Sequence, residues 1–115
     1  MLQKLIDDYQ DFHDALITEI NYFNGYNFSE NSFESTTLKI TISCFNVNRN
    51  YDRDLITIYC ENINSFIYEK WDGMIFETLI KEENGEITLD FSNESEKDYF
   101  VVKCQKVSYE IIEQK

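Results

Sequence analysis

Along the first ten residues the apolar side chains fall at Leu2, Leu5, Ile6 and Tyr9, with Asp7, Asp8 and Gln10 off that stripe. Offsets of three, four and seven place the apolar set on one helical face. A helix this short is marginal alone, so packing on a sheet must hold it. After Asp14 the period changes. Ala15–Phe23 is rich in β-formers and ends at Asn24-Gly25. Residues 24–36 are polar around Tyr26, Phe28 and Phe33, and read as a long loop anchored by those aromatics.

Thr37 to Val47 gives the clearest strand. Leu38, Ile40, Ile42 and Cys44 face one way; Thr37, Lys39, Thr41 and Ser43 face the other. Such alternation marks a sheet with one wet side. Asn46 to Asn50 is a turn, and Asp54–Glu61 repeats the alternation with Ile56, Ile58 and Cys60 inward. The two segments read as a hairpin or near neighbours. Asn62 and Asn64 then punctuate the chain before a short strand at 65–69, and Trp71-Asp72-Gly73 reads as a turn. A second hairpin runs from Met74–Glu83 through Asn84-Gly85 to Glu86–Phe91. Asn-Gly supplies the positive φ that a two-residue type I′ turn requires. That turn sets Ile80 opposite Leu89 and Glu82 opposite Ile87, with Phe76, Ile80, Ile87, Leu89 and Phe91 on one side.

Ser92–Lys97 is an acidic loop. In the last element, Tyr99–Ile112, Phe100, Val102 and Cys104 share one parity, while Val107, Tyr109 and Ile111 share the other. A β-bulge or bend near Gln105-Lys106 would turn both sets inward. The expected architecture is mainly β, at the margin of α+β. A short N-terminal helix packs on a curved antiparallel sheet of about six or seven strands that curls or splits into two layers.

Composition narrows the class. The 115 residues suit one domain spanning 1–115, and 16% aromatic content argues against disorder. No apolar run approaches the length of a membrane span, and Asp7-Asp8 interrupts the amino terminus before a signal peptide could form. The expected compartment is the cytoplasm. The net charge of −12 repels nucleic-acid backbones and anionic lipid, so a basic protein is the partner it favours. Charge of this size also serves solubility alone.

The candidate chemistry is sparse. Cys44, Cys60 and Cys104 sit in apolar strand patterns without metal spacing and read as small buried hydrophobes. The acidic loops at Asp52-Arg53-Asp54 and Glu94-Ser95-Glu96 lack the calcium-loop spacing. The three glycines form no phosphate cradle, so no cofactor is expected. His13, the lone histidine, is flanked by Asp11 and Asp14. It is either a general acid/base or, with Asp14, a structural tie at the helix–strand junction.

The acid is unevenly spread. From Glu82 to Asp98 seven carboxylates face only Lys97, giving half of the net negative charge. Hairpin tip and following loop are expected to gather this charge at one end of the sheet. A solvated face is one reading of such a run; a docking patch for a basic protein is the other. On the second reading the contact residues are Glu82, Glu83, Glu86, Glu94, Glu96 and Asp98. Trp71, Tyr68 and Tyr99 would be the aromatic anchors, because interface hot spots favour such side chains.

The opening Phe12-His13-Asp14-Ala15-Leu16-Ile17, the strand-rich sequence after it and the Trp71-Asp72-Gly73 turn resemble small acidic β-rich bacterial proteins of uncharacterised function. Some of these are grouped with immunity proteins of polymorphic-toxin systems. The resemblance implies a cytoplasmic protein that binds a cognate toxin domain and has no catalysis of its own; it carries over no contact residue. The leading expectation is therefore a non-catalytic binding module that neutralises a basic toxin domain through an acidic surface. Two alternatives stand beside it. One is a small hydrolase or isomerase using His13 as acid/base. The other is a homo-oligomeric structural subunit joined through exposed strand edges.

Overall fold

The computed structural model describes residues 2–115. The elements are α1 (Leu2–Tyr9), β1 (Ala15–Phe23), β2 (Tyr26–Asn27), β3 (Ser32–Phe33), β4 (Thr37–Asn46), a 3-10 turn (Val47–Arg49), β5 (Asp52–Tyr68), β6 (Met74–Ile75), β7 (Leu79–Glu83), β8 (Glu86–Asp90) and β9 (Phe100–Gln114). Seven strands form one antiparallel sheet in the order β6-β1-β4-β5-β9-β8-β7, and β2 pairs β3 separately. The protein is mainly β, with one short N-terminal helix. No helix among the described residues is long and apolar enough to cross a membrane.

The sheet must curl. A straight strand as long as β5 would measure roughly 55 Å, but the molecule's longest dimension is 48 Å. The bend lies around Asn62, whose φ of 59° is left-handed and whose N–H bonds to the Thr36 carbonyl outside the ladder. Curling also follows from connectivity. β6 borders one edge of the sheet and β7 the other, yet only residues 76–78 separate them. Four Cα steps hold the two edges within about 15 Å at that point. Thr78 N–H bonds to Asp11 O, and Asp14 N–H to Ile75 O, which ties this crossing to the α1–β1 junction.

The inner face carries the expected side chains. Leu38, Ile40, Ile42 and Cys44 are buried beside Ile56, Ile58 and Cys60, in the register Leu38↔Cys60, Ile40↔Ile58 and Ile42↔Ile56. Leu5 and Tyr9 bring α1 onto this face. Tyr9, Phe12, Phe91 and Phe100 then form a continuous aromatic column, with successive ring centroids 5.8, 6.4 and 5.0 Å apart. This column links the helix to the far side of the curled sheet. Near 25 cal/mol per Å² of apolar area, such burial is the main source of stability. The Asn84-Gly85 turn has the expected positive φ values, 53° and 78°, and Ile80 pairs with Leu89 and Glu82 with Ile87.

Several expectations are corrected. Met74–Glu83 is not one strand: β6 pairs with β1, β7 pairs with β8, and Phe76 between them is exposed. The segments at 54–61 and 65–69 belong to one strand, because the left-handed turn at Asn62 bends the chain without ending it. Residues 24–36 contain the β2–β3 hairpin, and Phe28 and Phe33 do not anchor it: they are 85% and 75% exposed. Asp8, off the apolar stripe, is buried, because Asn48, Lys4 and Tyr109 all donate to it. No bulge interrupts β9 at Gln105-Lys106, and of the later set expected inward Ile111 is exposed. Cys104 and Val107 are both buried, and the pairs Ile63↔Cys104 and Glu61↔Lys106 keep one register. The register shifts fall instead at Ile63/Ser65 and Leu55/Ile56.

Candidate functional site

The acid does not gather at one end of the sheet. Glu82, Glu83 and Glu86 surround the β7–β8 turn, whereas Glu94, Glu96 and Asp98 follow β8. A five-residue strand separates the two groups by roughly 16 Å, so adjacency in sequence misleads here. At the turn the charge is mixed. Glu83 lies 3.8 Å from Lys81, Glu86 accepts from Asn64 at 2.9 Å, and Lys103 shares the same shallow hollow.

The loop end is different. There the predicted aromatics converge: Trp71 lies 4.8 Å from Tyr99 and 5.9 Å from Tyr68, centroid to centroid. Trp71 is positioned by its own turn. Its Nε1–H donates to Met74 O at 3.0 Å, the Asp72 carboxylate accepts from Met74 N–H, and Gly73 O accepts from Ile17 N–H at 2.8 Å. Gly73 has φ +87°, and a Cβ there would stand 2.6 Å from Ile17 O, so only glycine fits. The acidic loop is fastened beside these rings. Lys97 Nζ bonds to Glu69 at 2.8 Å, and Ser92 Oγ accepts from Tyr99 N–H at 3.2 Å. Burial, then Asp72 and Asp90, raise the Tyr99 phenol above its ordinary pKa, which registers the negative field around the cluster.

The same end contains carboxylates that sequence order conceals. Glu77 faces Glu94, and the proximity of that second carboxylate raises the Glu77 pKa; Asp11 adds to the rise and His13 opposes it. His13 is 66% exposed at the side chain. Its Nδ1–H donates to Phe76 O at 2.6 Å, and its Nε2 lies 3.5 Å from Asp14. That bond to the Phe76 carbonyl, followed by the charge of Asp14, raises the imidazole pKa. His13 and Asp14 therefore sit at the junction between the helix, β1 and the 76–78 crossing. Three left-handed residues, Gln10, Phe12 and Asp14, shape this junction.

Sequence reasoning missed the second wall of the aromatic cluster. Tyr22 stacks on Phe66 at 5.6 Å, and Phe66 lies 6.4 Å from Tyr68. These rings, with Trp71, Asp72, Gly73 and the β1 residues 17–20, line an open groove of about 380 Å³. The available signal was the two-residue spacing of Ile20 and Tyr22, and of Phe66 and Tyr68, which puts each pair on one strand face. The cysteines are buried free thiols. Burial pushes Cys44 up to about 12, and the neighbouring Cys104 thiol, together with burial, raises Cys60. Among the described residues no group of three or more His, Cys, Asp or Glu side chains is arranged to hold a metal ion. No family model, curated protein or solved structure matches the chain.

Proposed function

We propose that this protein is a non-catalytic binding module that docks a basic protein partner, of the kind an immunity protein makes with a cationic toxin domain. The observation that carries the reading is the Trp71–Tyr99–Tyr68 cluster set beside the Glu94–Asp98 loop in a chain of net charge −12. Charge of one sign speeds encounter with a cationic surface, and half-buried aromatics lengthen the life of the complex once formed. On this reading Glu94, Glu96, Asp98, Trp71, Tyr68 and Tyr99 form the docking patch. Glu82, Glu83 and Glu86 contribute only to the long-range field.

The acid/base alternative has weaker support, since the His13 ring has one nitrogen committed to a carbonyl and stands largely in solvent. The test is kinetic. Cationic nuclease domains, beginning with any encoded beside this protein, are presented to it by surface plasmon resonance at low and high salt. The expected result is fast, salt-sensitive association that slows when Glu94, Glu96 and Asp98 are all replaced by Lys. Association at the same rate after that reversal sinks the reading. Growth protection on co-expression with the bound toxin domain would support the immunity role specifically.

A further inference from the structure

The sheet guards most of its borders. β7 presents Lys81, Glu82 and Glu83, all exposed. The second half of β9 carries Glu110 and Glu113, has a register break beside Ile112, and has α1 against it through Tyr9 and Tyr109 at 5.9 Å. Charged side chains, bulges and covering helices are the usual protections of a strand edge. The outer edge of β1 has few of them. β6 pairs only with Ala15 and Leu16, and among the described residues no backbone bond reaches the outer side of Thr18–Phe23. A register irregularity at Thr18 marks where β6 leaves off. Beyond it, Ile20, Tyr22 and Phe23 accompany a single acid, Glu19, and Tyr22 and Phe23 are about half exposed.

The aromatic groove runs along this same edge. Its walls are β1 and the C-terminal part of β5, and Asp72 lies in its lining, while the Glu19 carboxylate accepts from Asn21 on the other face of β1. Aromatic faces with a nearby carboxylate suit a Lys or Arg side chain, through cation–π attraction and ion pairing together. An unpaired strand beside a side-chain pocket is the arrangement used in strand addition, where backbone bonds give affinity and alternate side chains give selectivity. We propose that Thr18–Phe23 takes up an extended basic segment of a partner protein as an additional strand, with a Lys or Arg of that segment lodged among Tyr22, Phe66, Tyr68 and Trp71 and facing Asp72. The proposal rests on the docking function above and names the edge and the binding mode. The net charge of −12 selects a basic segment over a neutral or acidic one.

The test uses the full protein and three end-capped octapeptides. One alternates Arg with Val, the second has the same sequence with every other peptide nitrogen methylated, and the third has Glu in place of Arg. Fluorescence of Trp71, the only tryptophan, reports occupancy. Amide exchange followed by NMR reports location. The expected result is saturable binding of the Arg peptide with new protection within Thr18–Phe23, at least tenfold weaker binding of the methylated peptide, and none of the Glu peptide. Tyr68→Ala, at a half-exposed position, should weaken binding about five- to tenfold.

If the Arg peptide binds with changes confined to residues 92–98, and the methylated form binds equally well, the edge proposal fails while the docking function stands. No binding of the Arg peptide overturns the edge proposal, and the charge-reversal kinetics then decide the docking function separately. A concentration-dependent dimer that protects Thr18–Phe23 without peptide also overturns it, by assigning the edge to a second copy.

Discussion

The sharpest energetic test concerns Asp54, a carboxylate with no exposed side-chain surface in the middle of the fold. Tyr9 Oη–H donates to it at 2.8 Å, Asn46 Nδ2–H at 3.0 Å and Arg49 Nη2–H at 2.5 Å. Burial pushes the Asp54 pKa up, but the three donors and the Arg49 charge outweigh burial and hold it below the usual carboxylate range. Tyr9→Phe removes one hydrogen bond to a charged acceptor while keeping the ring's stacking on Phe12, and should cost roughly 1.5–3 kcal/mol. Asp54→Ala leaves the Asn46 amide and the Tyr9 hydroxyl buried without acceptors, at about 1–3 kcal/mol each. Arg49 is about one-third exposed and can recover water, so it adds less. The total should be roughly 3–5 kcal/mol.

The decisive measurement is the double-mutant cycle by urea denaturation, followed by circular dichroism. In the Asp54→Ala background the Tyr9 hydroxyl has no acceptor, so Tyr9→Phe should there be neutral or stabilising. An equal cost in both backgrounds would refute the network. The pH dependence provides an independent check. A depressed folded-state pKa means that the contribution is complete above the ordinary Asp value and is lost as pH falls through the folded value. Asp8 follows the same direction: the hydrogen bond from Asn48 lowers its pKa against the effect of burial, with help from Lys4. Wild-type stability should therefore fall steeply in acid, and Tyr9→Phe should lose less of it over the same range.

Three further outcomes follow from the geometry. Gly73→Ala combines an unfavourable positive φ with a Cβ against Ile17 O, so it should cost roughly 2–4 kcal/mol by thermal or urea unfolding; an effect under half a kcal/mol would mean that the turn relaxes freely. The His13 imidazole should titrate above the ordinary histidine value in an NMR pH series, and Asp14→Asn should lower its pKa; a downward shift in the wild type would contradict the Nδ1–Phe76 bond. All three thiols should react slowly with an aromatic disulfide reagent at pH 8 and rapidly in denaturant, since all are buried; one fast thiol in the native protein would show that its strand opens locally.

Alternation made the centre of the sheet legible. β4, the first half of β5 and the β7–β8 register follow from two-residue periodicity and from the φ demanded by Asn84-Gly85, both local properties. What escaped depends on contacts distant in sequence. Asp8 is inside because Asn48 and Tyr109 reach it from the 3-10 turn and β9, and no helical wheel contains that information. Asn62 reads as a break in the sequence. In the fold it is a bend, because its N–H is satisfied by Thr36 while both flanking stretches keep pairing with β9.

The site was half legible for the same reason. Trp71, Tyr68 and Tyr99 could be chosen by residue type, but the charge around them could not be found by counting along the chain. β8 carries Glu86 away from Glu94, while the crossing at 76–78 brings Glu77 to Glu94 and sets His13 beside Phe76. That crossing bears on the open groove as well. It holds the two sheet edges close where Asp14 and Thr78 are tied across the junction, and β6 pairs with β1 for only two residues before the edge diverges. Lengthening β6 would cover Thr18–Phe23 and bury more apolar surface. The short β6 instead leaves a strand unpaired beside four aromatic rings. An exposed edge invites aggregation, so stability alone does not account for that arrangement, and the proposed uptake of a partner's strand is the account that the peptide experiment tests.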